Sequence, residues 1–141
     1  IKNFRHCGIV TKNLNKSLWF YKDLLGLKII KKMKEDKKLM GEILKVKNCN
    51  LTTIKLGVKK KIILELLYFK NLNQKMNKIN IYSLGLTHVS LTVKDIRKMY
   101  NKLSKNKIKF FSKPTLSSDK KVMLCFCKTP ENIFLELVEI L

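Results

Sequence analysis

The chain has few arginines and few acidic residues, although it is rich in charge. Its basic residues are 29 lysines and two arginines, Arg5 and Arg97, and only ten Asp and Glu oppose them, which leaves a formal net charge of +21. Specific contacts with phosphates and bases favour the planar guanidinium over the lysine ammonium. Lysine, asparagine and isoleucine are all abundant, which is what an AT-rich genome would encode, so the many lysines do not require a nucleic-acid ligand. We therefore expect no nucleic-acid partner, and we expect the positive surface to attract small anionic molecules instead.

Long apolar runs are missing and cysteine is scarce. No segment approaches the ~18 uninterrupted apolar residues of a membrane span, so no membrane partner is expected. Four cysteines in 141 residues favour reduced thiols in a cytoplasmic protein over a disulfide scaffold. The chain begins at Ile1 rather than at methionine, so the sequence does not report on a targeting peptide. Its length and its 45% apolar content predict a single folded domain.

A repeated pattern divides the chain into two halves. Residues 62–67 read IILELL and residues 133–138 read IFLELV, so each half places one glutamate, Glu65 or Glu136, among apolar neighbours. The segments FRHCGIV and LTHVSLTV carry the only two histidines, His6 and His88. A carboxylate buried among aliphatic side chains is costly unless a metal ion or a substrate proton pairs with it. One histidine and one glutamate in each half therefore predict a four-ligand metal site.

Each half is predicted to contain a strand, a helix and three further strands. The first half contains one strand-like segment more than this pattern requires: 4–11, 27–33, 43–47, 51–56 and 62–69, with a charged turn at Lys34–Lys38. Those of the second half are 86–93, 108–114, 121–127 and 133–141. One helix, capped by Asn13 or Asn15, should end at Gly26, and another should begin after Asp95. We expect modules of about 1–70 and 84–141, joined by a connector of about 71–83.

Alternation along the strands predicts which side chains share a face. Glu65 should lie on the face opposite to Leu64 and Leu66. A single histidine in an apolar strand is more often a hydrogen-bonded core residue than a metal ligand, and a single glutamate in such a strand often faces solvent. Four of them at matching places favour a shared site. If each sheet curls into a cup, the side chains that face its cavity are those of His6, Glu65, His88 and Glu136.

Several stretches resemble the vicinal oxygen chelate superfamily, which includes glyoxalase I, methylmalonyl-CoA epimerase, extradiol dioxygenases, and bleomycin and fosfomycin resistance proteins. The matching stretches are HCGIV at 6–10, SLWFYKDLLGL at 17–27, LELL at 64–67, HVSLTV at 88–93 and PENIFLELVE at 130–139. The resemblance implies an α+β fold of two βαβββ modules whose curved sheets form a metal cup, and it implies a homodimer. The implied ligands of the divalent metal are His6, Glu65, His88 and Glu136, a set that does not select among Ni, Zn, Co, Mn and Fe.

Two positions depart from the pattern of glyoxalase I. In the bacterial enzymes an arginine four residues after the first histidine and an asparagine four residues after the first glutamate help to hold glutathione. Here these positions are Val10 and Phe69, which argues against a lactoylglutathione lyase.

The resemblance implies a metal-dependent lyase or isomerase of the glyoxalase type that transfers a proton through an enediolate or enolate of a small carbonyl or thioester substrate. Glu136 is the first candidate for the base and Glu65 the second. Three alternatives stay open. They are an enzyme like methylmalonyl-CoA epimerase, an Fe(II) extradiol dioxygenase, and a noncatalytic small-molecule-binding protein of the resistance type. The dioxygenase would need an open coordination position that Glu65 would occupy.

Overall fold

A computed structural model describes residues 1–76 and 78–141 and separates the chain into two compact units, Ile1–Lys75 and Met76–Leu141. The boundary falls inside the segment 71–83, which the sequence predicts as a connector and of which Asn77 lies outside the described residues. Each unit contains one four-stranded sheet. Across these two described stretches, no helix is long and apolar enough to span a membrane.

The first unit has its last strand beside its first. Its elements are β1 (Cys7–Val10), α1 (Leu14–Leu18) with a π-helical extension (Trp19–Leu24), β2 (Lys28–Lys34), α2 (Lys37–Leu44), β3 (Asn50–Val58) and β4 (Lys61–Lys70). The strand order is β1-β4-β3-β2, with β1 parallel to β4 and the other pairs antiparallel. Its core consists mainly of buried side chains from the helical segment, β3 and β4: Phe20, Tyr21, Leu24, Ile54, Leu56, Leu64 and Leu66.

The second unit repeats this topology. Its elements are β5 (His88–Thr92), α3 (Ile96–Lys105), β6 (Thr115–Leu116), β7 (Val122–Lys128) and β8 (Phe134–Ile140). The strand order is β5-β8-β7-β6, again with the first strand parallel to the last. Its buried core comes from α3, β7 and β8: Ile96, Leu103, Cys125, Cys127, Leu135 and Leu137. The predicted α+β fold of two βαβββ modules is therefore confirmed.

Side-chain caps determine where two of the helices begin. The Asn13 carboxamide accepts a hydrogen bond from the backbone N–H of Lys16 at 3.0 Å, so Asn13 rather than Asn15 caps α1. Asp95 accepts one from the backbone N–H of Lys98 at 2.9 Å, and this bond lowers the pKa of the Asp95 carboxyl. Gly26, which follows the first helical segment, has the predicted left-handed conformation, with φ of 83°.

The predicted strand at 43–47 and the turn at Lys34–Lys38 are wrong in part, because α2 occupies most of this stretch. The Asp36 carboxylate accepts a hydrogen bond from the backbone N–H of Leu39 at 2.7 Å and so caps the helix. The apolar residues of α2 recur at helical rather than strand spacing: Leu39, Met40, Ile43 and Leu44. Lys45, in a left-handed conformation, ends the helix.

The predicted strand at 108–114 is also wrong. Within it, Phe110 forms only an isolated bridge with Cys127, and the edge strand of the sheet is β6, which follows Pro114. Proline lacks the N–H that a strand needs for its ladder, so regular pairing resumes only after it.

Replacing Asn13 by Ala should lower the free energy of unfolding by about 1 kcal/mol, because one N–H at the start of α1 loses its acceptor. Asn15→Ala is the matched control, since Asn15 lies exposed inside α1 and should change stability by less than about 0.5 kcal/mol. Urea unfolding followed by circular dichroism measures both. A larger loss in Asn15→Ala than in Asn13→Ala would contradict the assignment of the cap.

Candidate metal centre

The first predicted ligand pair is held by the parallel strands of the first unit. Glu65 on β4 lies opposite Gly8 on β1, and His6 precedes Gly8 by two residues, so that both side chains share one face. The His6 Nε2 atom is 3.0 Å from Glu65 Oε2, and the two side chains are only 20% and 14% exposed. The neighbours of Glu65, Leu64 and Leu66, are fully buried in the core. Glu65 therefore points away from the core, on the face that the alternation predicts.

A lysine that the sequence analysis did not single out joins this pair. Lys55 on β3 lies directly opposite Glu65, and its Nζ is 3.4 Å from Glu65 Oε1. Its side chain is only 16% exposed. Both oxygens of the Glu65 carboxylate therefore have a partner, His6 on one side and Lys55 on the other.

A β-bulge brings Lys55 opposite Glu65. Next to the turn of the β3–β4 hairpin, Gly57 pairs with Ile62, but the next pair is Leu56 with Leu64, so β4 contributes an extra residue. Without this shift, Lys55 would lie opposite Leu64, a core residue, instead of opposite Glu65. A Cβ on Gly57 would come within 2.0 Å of the Lys61 carbonyl oxygen, so the bulge requires glycine there. An apolar alternation pattern does not reveal such a shift, although a glycine next to the turn is a signal for one.

The second predicted pair repeats the arrangement with a looser contact. Glu136 on β8 lies opposite Ser90 on β5, and His88 again precedes that partner by two residues. The His88 Nε2 atom is 3.9 Å from Glu136 Oε2. The residue opposite Glu136 on β7 is Phe126, whose ring meets the His88 ring edge-on with centroids 5.6 Å apart. Phe126 therefore takes the place that Lys55 has in the first unit.

The two histidines differ in the hydrogen bonding of their second ring nitrogen, Nδ1. The His88 Nδ1 atom is 3.0 Å from the Thr87 hydroxyl oxygen. The His6 Nδ1 atom is buried and has no hydrogen-bond partner among the described residues. Histidines that bind a metal through one nitrogen usually have a partner at the other, which orients the ring. The pair in the second unit has such a partner, whereas His6 has none among residues 1–76 and 78–141.

The spacing of each pair tests whether a metal fits. Two ligands that each lie about 2.1 Å from one ion are roughly 3.0–3.4 Å apart at octahedral to tetrahedral angles. The His6–Glu65 separation of 3.0 Å meets this condition, and the His88–Glu136 separation of 3.9 Å requires the pair to close. In residues 1–76 and 78–141, no group of three or more His, Cys, Asp and Glu side chains is close enough to hold a metal. The structure thus forms a His–Glu pair in each unit, and the four-ligand site stays a prediction.

The cysteines of the second unit are poor candidates for metal ligands. Burial raises the pKa of the Cys125 thiol to about 11. Burial, with a smaller effect of Cys125, raises the pKa of the Cys127 thiol to about 12. The thiolate is the form that binds metal, so these side chains stay protonated core residues at neutral pH.

Comparisons with known proteins agree with the repeated topology. The sequence profile of the Glyoxalase/Bleomycin resistance protein/Dioxygenase superfamily matches residues 3–137. No curated protein matches the chain. A glyoxalase family protein from Bacillus cereus is similar in structure, with a TM-score of 0.88 and 19% sequence identity, over 100% of this chain and 95% of that chain.

Two solved structures of glyoxalase I are also similar. The trypanothione-dependent enzyme from Leishmania major has a TM-score of 0.70 and 17% identity, over 99% of this chain and 87% of that chain. A mutant of the enzyme from Zea mays has a TM-score of 0.72 and 17% identity, over 95% of this chain and 43% of that chain. At such identities the likeness concerns the fold. With the profile match over nearly its whole length and with two sheets of one strand order, the chain belongs to the glyoxalase/bleomycin resistance protein/dioxygenase superfamily, the vicinal oxygen chelate superfamily that its motifs resemble.

Proposed function

We propose that the protein is a divalent-metal-dependent lyase or isomerase of the glyoxalase type that acts on a small carbonyl or thioester substrate. The observation that carries this proposal is the repeated His–Glu pair. In each unit the histidine and the glutamate come from the two parallel strands in the same relative register. Two His–Glu pairs in the same strand register, one in each unit, support a common role for these residues.

The four side chains that would hold the ion are His6, Glu65, His88 and Glu136. Two nitrogen and two oxygen donors suit Ni²⁺, Zn²⁺, Co²⁺, Mn²⁺ or Fe²⁺ and do not select among them. A bound divalent ion would act as a Lewis acid and take up the negative charge that develops on a substrate oxygen. The net charge of +21 supports an anionic substrate. We also propose that the protein forms a homodimer.

Glu136 is the better candidate for the base that moves the proton. Glu65 has a cationic side chain at one oxygen and His6 at the other. Glu136 lies opposite the uncharged Phe126 and has a longer contact with its histidine. A carboxylate that no neighbouring cation holds is freer to accept a proton from carbon and return it. Glu65 is the second candidate.

A second function, noncatalytic binding of a small molecule, is favoured by one observation. The Glu65 carboxylate already has Lys55 as a partner of opposite charge, and this pairing offsets the cost of its burial without a metal. Stoichiometric binding of a ligand by metal-free protein, without turnover, would support this alternative.

Metal-stripped protein should bind about one Ni²⁺ per chain in isothermal titration calorimetry. His6→Ala and His88→Ala should each weaken binding by more than the ~10- to 100-fold that loss of an outer-shell partner costs, because each removes a ligand. Circular dichroism serves to verify that both variants fold. Unchanged affinity in either folded variant would remove that histidine from the ligand set.

Glu136→Gln should lower kcat by at least ~100-fold while leaving the fold intact, because the amide cannot accept the substrate proton. Proton exchange with D₂O, followed by NMR on the methylglyoxal–glutathione adduct and on methylmalonyl-CoA, identifies a substrate for this comparison. Glu139→Gln is the matched control. It lies on the same strand and loses the same charge, and its amide oxygen can still accept the 2.8 Å hydrogen bond from the backbone N–H of Ile96. Full activity in Glu136→Gln would exclude Glu136 as the base.

A further inference from the structure

We propose that Lys55 competes with the metal ion for Glu65 and thereby weakens metal binding at the first ligand pair. This inference rests on the proposed metal site, and it assigns to Lys55 a role in setting metal affinity. The second ligand pair has no equivalent lysine, since Phe126 occupies the matching position. The carboxylates of Glu65 and Glu136 would therefore differ in how readily each binds a metal ion.

The first step of the argument is the strength of the Lys55–Glu65 contact. The two residues are direct cross-strand partners, and their charged atoms are 3.4 Å apart. Both side chains are more than four-fifths buried. Charges attract more strongly in such a place than on an open surface, where solvent screens them. The positive charge of Lys55 thus offsets the negative charge of Glu65 without a metal ion.

The second step concerns what happens to Lys55 when a metal binds. An ion coordinated by Glu65 would place two further positive charges close to the Lys55 ammonium, and charges of one sign repel each other at this distance. Lys55 also has a positive charge on its other side, because the residue directly opposite it on β2 is Lys31. Like charges at directly opposite positions are themselves unfavourable. Metal binding must therefore separate Lys55 from Glu65 or leave the ammonium beside the ion, and both cost affinity.

The test is a titration of metal-free protein with Co²⁺, followed by calorimetry and by the visible absorption of the bound ion. Lys55→Met should bind Co²⁺ at least ~10-fold more tightly than the wild type, because the competing charge is gone. Lys55→Gln serves as a second neutral variant in case the methionine disturbs folding. Lys55→Arg keeps the charge and should stay within about threefold of the wild type.

Lys32→Met is the matched control, since it removes one positive charge from the same sheet. Lys32 is exposed and lies opposite Ile54, a core residue, so it is on the other face of the sheet from Lys55. Its loss should change Co²⁺ affinity by no more than about twofold, because solvent screens exposed charges. Binding by Lys55→Met but not by the wild type would support the inference in its strongest form.

Two results would overturn the inference, and they differ in what they leave standing. If the wild type binds Co²⁺ and neither neutral Lys55 variant binds it more tightly than Lys32→Met does, Lys55 does not compete, while the metal site itself stands. If no variant binds Co²⁺, the metal site is wrong and the inference is wrong with it.

Discussion

Parallel pairing between the first and last strand of each unit is the constraint on which the candidate site depends. It places β1 beside β4 and β5 beside β8, although residues 11–60 lie between the first two strands and residues 93–133 between the second two. Parallel strands cannot be joined by a tight turn, so a long crossover must connect them, and here the crossover contains the helix and the other strands of the unit. The histidine near the start of each unit thereby reaches the glutamate near its end. A change that weakened this pairing would separate the two side chains without altering either of them.

The leucines on either side of each glutamate explain how a carboxylate lies in an apolar strand without entering the core. Leu64 and Leu66 anchor one face of β4 in the core, and Leu135 and Leu137 do the same for β8. These residues hold each glutamate on the opposite face, close to its histidine. Burial of these leucines thus fixes where the glutamate carboxylates lie.

The two units differ at the residue opposite each glutamate, although they share a topology. In the first unit Lys55 pairs with Glu65, whereas in the second unit the aromatic residue Phe126 lies opposite Glu136, whose carboxylate is 3.9 Å from His88. The first unit also contains α2, an amphipathic helix between β2 and β3 that has no counterpart among the described elements of the second unit.

Sequence patterns determined the repeat, most strands, the helix that begins after Asp95, and the faces of the two glutamates, because burial of alternate residues leaves a period of two in the sequence. The patterns misplaced the segments 43–47 and 108–114, where short apolar runs suit either a helix or a strand and where Pro114 displaces the edge strand. Only the tertiary structure decided that Lys55 meets Glu65. The reason is physical: one extra residue in a bulge beside Gly57 exchanges the two faces of a strand, and its position depends on backbone packing in the hairpin rather than on the hydrophobicity of any residue.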